Sequence, residues 1–136
     1  RIIPQVKMAF DNQKIGKTLL KQAEHFCTRL GDLFPEEKPA LLHGDLWSGN
    51  FMHSTTGPAV FDPAVYYGHR EMDLGMTRLF GGFNADFYAG YEAEFPTDKK
   101  AVQRVDYCNL YPLLVHVNLF GASYIDDVQH ILKQFA

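Results

Sequence analysis

The octapeptide His43-Gly44-Asp45-Leu46-Trp47-Ser48-Gly49-Asn50 and the later stretch Val60-Phe61-Asp62-Pro63 decide how the rest of this chain is interpreted. Together they place an aspartate, an asparagine five positions later and a second aspartate in the following segment. Gly44 and Gly49 give the octapeptide access to backbone angles that other residues rarely adopt. Apolar runs at 40–42, 51–53 and 59–61 predict short strands. The polar residues should therefore lie on loops between strands.

This spacing of polar residues is typical of a kinase catalytic loop. In kinase-type transfer a carboxylate accepts the proton of the substrate hydroxyl, and magnesium, which prefers oxygen ligands, bridges the phosphates of ATP. Asp45 fits the role of catalytic base. Asn50 fits a magnesium ligand, as does Asp62, which a hairpin turning at 54–58 would bring back beside the loop. His43 is expected to pack inward and hydrogen-bond the loop.

The remainder of the chain is predicted to be mostly helical. Pro112 should kink the helix predicted over 97–119 or split it near Tyr111. The expected class is α+β, predominantly α-helical, as a single domain over 1–136 in which a small β-hairpin carries the catalytic and metal loops. The predicted helices are 14–30 with Asp11 or Asn12 as cap, 70–80, 85–95 capped by Asn84, 97–119 and 123–135.

Composition excludes several classes of partner. The 13 basic and 16 acidic residues give a net charge of −3 with no Lys/Arg block, so nucleic acid is not expected to bind. No apolar run approaches the roughly 20 residues that cross a bilayer, and the first residues lack the layout of a secretory signal. We therefore expect a cytoplasmic protein without a membrane partner. Cys27 and Cys108 stand alone among apolar neighbours, which is typical of reduced core thiols.

A second phosphate-binding pattern competes with the octapeptide. Gly16-Lys17-Thr18 matches the end of a Walker A motif. A P-loop would require glycine at position 11, where Asp11 stands, and the triplet lies within a helical period instead of following a strand. This pattern therefore favours a solvated helix face over a nucleotide site.

From Leu42 to the C-terminus the sequence resembles the C-terminal lobe of the fructosamine kinase (ketosamine 3-kinase) family. That family is a branch of the aminoglycoside phosphotransferase-like kinases, which have a protein-kinase-like fold. The HGD triplet followed by asparagine is shared by many small-molecule kinases, whereas Trp47-Ser48 and DPAVYYGHRE at 62–71 narrow the resemblance to this family. It rests on HGDLWSGN at 43–50, FDPAVYYGHREMDLGMTRLFGGF at 61–83 and YPLLVHVNLFGASY at 111–124.

The resemblance implies ATP- and Mg²⁺-dependent phosphorylation of a sugar hydroxyl in a fructosamine or other ketosamine, and hence deglycation repair. The acceptor would be a small molecule or a glycated protein. By the same resemblance Asp45 is the catalytic base, and Asn50 and Asp62 hold the magnesium.

Residues around these three are expected to shape the acceptor site. Trp47 can face the sugar, because an indole offers an apolar platform and one N–H donor, or it can be a core residue instead. Tyr66 and Arg70 lie near enough in sequence to contact the acceptor. Glu71 and Asp73 are expected to support the site with His43 by accepting hydrogen bonds from backbone N–H groups.

The chain departs from the family in its first part. The glycine-rich loop and strand lysine that hold ATP in the N-terminal lobe of such kinases are not found here, and Arg1 to Phe10 resembles the end of an element that began earlier. We expect the nucleotide lobe to be absent from this chain, which would then be inactive alone and would self-associate through its exposed interlobe surface. A kinase for an aminoglycoside or choline-type acceptor remains an alternative, as does a non-catalytic binding or scaffold fragment.

Overall fold

The computed structural model describes residues 1–135 and is mainly helical. Short 3₁₀ turns cover Ser48–Asn50 and Ala122–Tyr124. The α-helices are α1 (Ile2–Asp11), α2 (Lys17–Thr28), α3 (Leu30–Leu33), α4 (Glu71–Leu79), α5 (Ala85–Glu94), α6 (Ala101–Phe120) and α7 (Ile125–Phe135). The strands are β1 (Ala40–Leu42), β2 (Phe51–Ser54), β3 (Gly57–Val60) and β4 (Tyr66–Gly68).

The strands form two antiparallel pairs. β2 and β3 make the predicted hairpin, with Phe51 opposite Val60. β1 pairs with β4, so that Leu42 lies opposite Tyr66. The sequence did not indicate β4, because three residues without clear alternation carry little strand signal. Along the chain, β1 and β2 flank the octapeptide, and β3 and β4 flank the Asp62 segment.

The described residues fall into two compact units. Residues 1–36 with 109–135 form the first, which we call the helical unit. Its α2 packs against α1 and α7, and the Phe26 ring meets that of Phe135 edge-on at 5.0 Å. Its buried apolar residues are Val6, Ala9, Ile15, Leu19, Ala23, Phe26, Leu110, Leu113, Leu114, Val117, Val128, Ile131 and Leu132.

Residues 37–108 form the second compact unit, which we call the site unit because it contains every candidate functional residue. It buries few large apolar side chains and instead encloses an ion pair. The Nε of Arg104 donates to Oε2 of Glu71 at 2.7 Å, and both side chains are almost fully buried. The hydrogen bonds that Arg104 donates to Glu71, and then the one that it donates to Asp98, raise the pKa of Arg104 despite its burial. This pair joins the start of α4 to the first turn of α6.

Several predicted helix ends and caps were wrong. Asp11 ends α1 and Asn12 caps its C-terminus, so neither residue caps α2, whose N-cap is Gly16. α6 begins at Ala101, not at 97, because Thr97 donates its N–H to Glu92 and Asp98 forms a turn with Ala101. The predicted cap of α5 is confirmed, since Asn84 Oδ1 accepts the N–H of Phe87.

Pro112 does not split α6, which runs unbroken from Ala101 to Phe120. Pro112 removes one backbone donor, but it is buried, as are Leu113 and Leu114 after it. Packing of this kind supplies most of the stability of a protein helix, so the loss of one backbone bond is tolerated.

The Walker-like triplet Gly16-Lys17-Thr18 starts a helix and follows another helix, because Gly16 is the N-cap of α2, Lys17 and Thr18 are its first residues, and α1 precedes it. A P-loop requires a strand before its glycine loop, so the triplet is not one. Among the helices of residues 1–135, none combines the length and the apolar run that crossing a bilayer requires.

Candidate active site

The two glycines of the octapeptide are required for different reasons. Gly44 has φ of +81°, and a Cβ at this position would lie 2.1 Å from the carbonyl oxygen of Ala64. Gly49 has no positive φ, so the expected backbone freedom does not explain it. A Cβ on Gly49 would instead lie 2.2 Å from the ring of Trp47. The first glycine thus permits the turn, and the second makes room for the indole.

Asp45 and Asn50 are in direct contact. Nδ2 of Asn50 donates to the main-chain oxygen of Asp45 at 2.9 Å and to its Oδ2 at 3.0 Å. Asn50 is buried, with 6% of its surface exposed, so these bonds are made in a protected environment. Nδ2 donates both of the hydrogen bonds that the Asn50 side chain makes to the described residues. Its Oδ1 and the second carboxylate oxygen of Asp45 are therefore the atoms left to accept.

Asp73 and His43 fix the start of the loop. The Asp73 carboxylate accepts the backbone N–H of His43 at 2.8 Å and that of Gly44 at 2.9 Å, as expected from the sequence. Asp73 lies in the first turn of α4, where a negative charge is favourable. His43 bonds through both ring nitrogens, since Nδ1 accepts the N–H of Asp45 at 3.3 Å and Nε2 lies 3.0 Å from the carbonyl of Phe61. His43 is thus engaged in holding the loop.

The Asp62 segment is tied to the octapeptide by main-chain bonds. The N–H of Phe61 donates to the carbonyl of Asn50 at 3.0 Å, and the N–H of Ala64 donates to that of His43 at 2.8 Å. Asp62 itself is exposed and has φ of +54°, an angle that few residues other than glycine adopt. Such backbone strain often occurs at functional sites. The hairpin therefore does return Asp62 to the loop that carries Asp45 and Asn50.

The donor atoms of this loop cluster fit a magnesium ion. Asn50 offers an amide oxygen and Asp62 an exposed carboxylate, and both are hard oxygen donors of the kind that Mg²⁺ prefers. Within residues 1–135 there is no group of three or more His, Cys, Asp or Glu residues that could hold a metal by itself. Two protein ligands are nevertheless usual for Mg²⁺ in kinases, where phosphate oxygens and water complete the shell.

Trp47 lies on the surface of the site unit and is not a core residue. It is 39% exposed, its ring covers Gly49, and it meets the ring of Phe80 edge-on at 6.2 Å. The indole is therefore packed against neighbouring residues and at the same time partly open to solvent.

Tyr66 and Arg70 both make contacts within the protein. The Tyr66 ring lies close to Gly44 and Gly68, where it backs the turn of the loop. The Arg70 guanidinium donates to Glu37 Oε2 at 3.2 Å and to the carbonyls of residues 95 and 96, and it stacks over the Phe95 ring at 3.9 Å. These contacts favour a structural role for Arg70 over the acceptor contact that its sequence position suggests.

Glu71 does not bond backbone N–H groups as the sequence suggested. Both of its carboxylate oxygens accept from the buried Arg104 side chain. The partners are 33 residues apart, so neither periodicity nor a motif could indicate the pair. Sequence analysis also missed the contact that the turn at 80–83 makes with the octapeptide, where Gly82 lies against Ser48. In the sequence, only the adjacent glycines Gly81 and Gly82 pointed to an unusual backbone turn at this place.

A cavity of about 80 Å³ lies between α4, α5 and the start of α6. Glu71, Arg78, Tyr88 and Cys108 are among its lining residues, whereas Asp45, Asn50 and Asp62 are not. Burial, and then the nearby Glu71 carboxylate, raise the pKa of the Cys108 thiol. The cavity therefore belongs to the packing behind the loop and not to the candidate active site.

Comparison with known proteins agrees with this geometry. The family model described as fructosamine kinase matches residues 1–136. A probable ketoamine kinase of Lactiplantibacillus plantarum is 54% identical over 99 residues, which are 72% of this chain and 35% of that protein. The ketosamine-3-kinase of Mus musculus is 35% identical over 138 residues, which cover 100% of this chain and 44% of the mouse protein.

A solved structure gives the same result. The crystal structure of a Thermobifida fusca protein assigned as a fructosamine-3-kinase superposes with a TM-score of 0.89 at 36% identity. The match covers 96% of this chain and 46% of the T. fusca chain. The chain thus spans less than half the length of these relatives, and it has the kinase-like fold expected of their C-terminal lobe. With a family model that matches along its whole length, the chain belongs to the fructosamine kinase family.

Proposed function

We propose that this chain supplies the catalytic half of an ATP-dependent kinase that phosphorylates a sugar hydroxyl of a ketosamine, the chemistry of deglycation repair. The observation that carries the proposal is the Asp45–Asn50 contact inside a loop that Asp73 and the Asp62 segment hold in place. Relatives named as ketoamine and ketosamine kinases support the choice of acceptor class.

Asp45 would act as the general base. One of its carboxylate oxygens accepts from Asn50, which orients the group, and the other can take the proton of the acceptor hydroxyl. Because the loop is held at both ends by backbone hydrogen bonds, little rearrangement is needed to align this oxygen. Preorganisation of that kind is what makes a positioned carboxylate effective in transfer to an alcohol.

Asn50 Oδ1 and the Asp62 carboxylate would hold the magnesium of Mg-ATP. When bound, the ion would neutralise charge on the phosphates during transfer. Asp62 is exposed, so it can reach a ligand without displacing protein groups. The chain spans less than half the length of its relatives, and we propose that the full-length gene product is the active kinase.

The Trp47 indole would support the sugar of the acceptor. Hydroxylated rings present apolar C–H faces that pack on indoles, and the indole N–H can bond a hydroxyl. We propose small ketosamines as the primary acceptors, with glycated proteins admitted only where the sugar reaches the same surface.

Asp45→Asn tests the catalytic role in the full-length gene product. Loss of the base should lower kcat for phosphorylation of a fructosyl-amine by about 10²- to 10⁴-fold, because general base catalysis contributes that much. Asp106 is an exposed aspartate on α6, so Asp106→Asn is the matched control and should retain full activity. Phosphate transfer measured with labelled ATP gives both rates. Retained activity of Asp45→Asn would refute the assignment.

A panel of acceptors tests the substrate class. The wild-type protein should phosphorylate fructosyl-amino acids faster than an aminoglycoside or choline at equal concentration. Preference for either of the latter would replace the ketosamine by that acceptor and leave the role of Asp45 intact. A glycated protein in the same panel separates small from large substrates.

A further inference from the structure

The turn that follows α4 lies directly against the octapeptide. Gly82 has φ of +95°, and a Cβ on it would stand 2.4 Å from the Cβ of Ser48 and 2.7 Å from its Oγ. Real Cβ atoms do not approach other atoms so closely, so only glycine fits here without displacing the loop. The adjacent Gly81 also has a positive φ of +68°, but a Cβ there would meet no atom within 4 Å.

Two phenylalanines extend the contact on either side of Gly82. The Phe80 ring meets Trp47 edge-on at 6.2 Å, and the Phe83 ring lies 5.5 Å from that of Phe51. Phe80, Gly82 and Phe83 thus contact residues 47, 48 and 51, in the same order along the two segments. The turn is itself fixed, because α4 ends at Leu79 and Asn84 caps α5 by accepting from Phe87.

The octapeptide is consequently held from two directions. Asp73 bonds its first residues, His43 and Gly44, whereas the turn contacts its later residues, Trp47 and Ser48. The Trp47 indole lies close to both Gly49 and Phe80. Its orientation therefore depends on both neighbours, while Asp45 is oriented by Asn50 and does not depend directly on the turn.

We propose that Phe80, Gly82 and Phe83 are positioning residues that set the Trp47 indole and thereby determine acceptor affinity and specificity. The proposal rests on the proposed function for the identity of the acceptor, a ketosamine. These residues touch neither the reacting atoms nor the nucleotide in this scheme. Their effect should fall on the acceptor KM, with a smaller effect on kcat and none on the KM for ATP.

The matched pair Gly82→Ala and Gly81→Ala tests the contact. Both introduce a Cβ at a positive φ, but only the first drives a methyl into Ser48. Trp47 is the single tryptophan of the 136 residues, so its fluorescence in this chain reports on this loop alone. Gly82→Ala should shift the emission maximum and raise acrylamide quenching, whereas Gly81→Ala should leave both unchanged.

Ser48→Gly in the Gly82→Ala background provides the rescue. It removes both atoms that the new methyl would strike and should restore the wild-type emission. An emission spectrum of Gly82→Ala equal to that of Gly81→Ala, or no recovery in the double variant, would overturn the proposal. Should Gly82→Ala fail to fold by circular dichroism, Phe80→Leu takes its place, and unchanged Trp47 emission in that variant would overturn the proposal equally.

Kinetics of the same variants in the full-length gene product connect the contact to the acceptor. Gly82→Ala should raise the KM for a fructosyl-amine on the order of tenfold, as expected when a binding group is misplaced by a fraction of an ångström to 1 Å. Gly81→Ala should have the acceptor KM of the wild type. Ser48→Gly in the Gly82→Ala background should bring the KM most of the way back to that value. An acceptor KM unaffected by Gly82→Ala would overturn the role in specificity. Wild-type protein that phosphorylates no ketosamine would refute the proposed function and leave the fluorescence result standing.

Discussion

The helical unit and the site unit differ in what they bury. Among the described residues, all but three of the buried apolar side chains belong to the helical unit, and four of the five buried polar ones belong to the site unit. Burial of a polar group costs free energy unless it is paired, so the site unit must satisfy each group with a partner. It does so through Glu71 with Arg104 and Asn50 with Asp45. The difference shows that apolar packing stabilises the helical unit, whereas paired polar side chains position the loops of the site unit.

The two units can be followed separately during unfolding. Trp47 lies in the site unit, so its fluorescence reports on residues 37–108, whereas far-ultraviolet circular dichroism is dominated by helices, most of which lie in the helical unit. Urea titrations of the 136-residue chain followed by both probes would show whether the transitions coincide. Coincident transitions would support the single domain predicted from the sequence. Separate transitions would assign a stability to each unit.

The largest effect is expected from breaking the buried ion pair. Arg104→Met leaves the Glu71 carboxylate buried without its partner, which should cost about 3–5 kcal/mol of unfolding free energy. The Trp47 fluorescence transition should therefore move to lower urea concentration by more than the circular dichroism transition.

The double variant Glu71→Met, Arg104→Met is the control for the ion pair. Replacing both charges by apolar groups of similar length should recover most of the loss, because a buried pair contributes little net stability over well-packed hydrophobic residues. Asp98, the other partner of Arg104, is substantially exposed and can be solvated by water. A double variant as unstable as Arg104→Met would show that the pair contributes net stability and would weaken the contrast between the units.

A smaller effect is expected in the helical unit from Leu114→Ala. Leu114 is fully buried, and removal of its side chain should cost about 3 kcal/mol through lost burial and the cavity left behind. The circular dichroism transition should shift, while Trp47 emission in the native chain should be unchanged. Leu119→Ala, an exposed leucine on the same helix, is the control and should shift the transition little. Equal shifts for the two variants would contradict the assigned core.

The helical unit was the easier part to predict from the sequence. Ile15, Leu19, Ala23, Phe26 and Leu30 recur at helical spacing, and this periodicity predicted a helix with one buried face. The first four are buried, whereas Leu30 lies beyond the end of α2 and is only half-buried. The ends of the helices were less certain, because they depend on side-chain caps and turns. Asp98, for example, starts the turn that delays α6 to Ala101.

In the site unit local signals predicted the loop, and distant contacts went undetected. The spacing of Asp45, Asn50 and Asp62 predicted a shared loop cluster, because a tight loop and a hairpin bring such residues together over short stretches. The pairing of β1 with β4 and the contact of Gly82 with Ser48 join segments far apart in sequence. Contacts of this kind depend on tertiary packing, for which a single sequence provides no periodic signal.

The smallest of these effects is expected from Lys14, which makes a polar contact inside the helical unit. Its Nζ donates to the main-chain oxygen of Asn118 at 2.7 Å and of Val117 at 3.3 Å, near the C-terminal end of α6. A cation at this end satisfies free carbonyls and interacts favourably with the helix dipole. Lys14→Met keeps most of the apolar stem and should cost about 1 kcal/mol by urea unfolding followed by circular dichroism.

Lys7→Met is the matched control for this contact, because Lys7 is an exposed lysine on α1, and it should have no measurable effect. The difference between the two variants should shrink at high salt as the interaction with the helix dipole is screened, although the direct hydrogen bonds should keep part of it. If Lys14→Met were instead as destabilising as Leu114→Ala, pairing would matter as much in the helical unit as in the site unit. The two units would then differ in composition but not in what stabilises them.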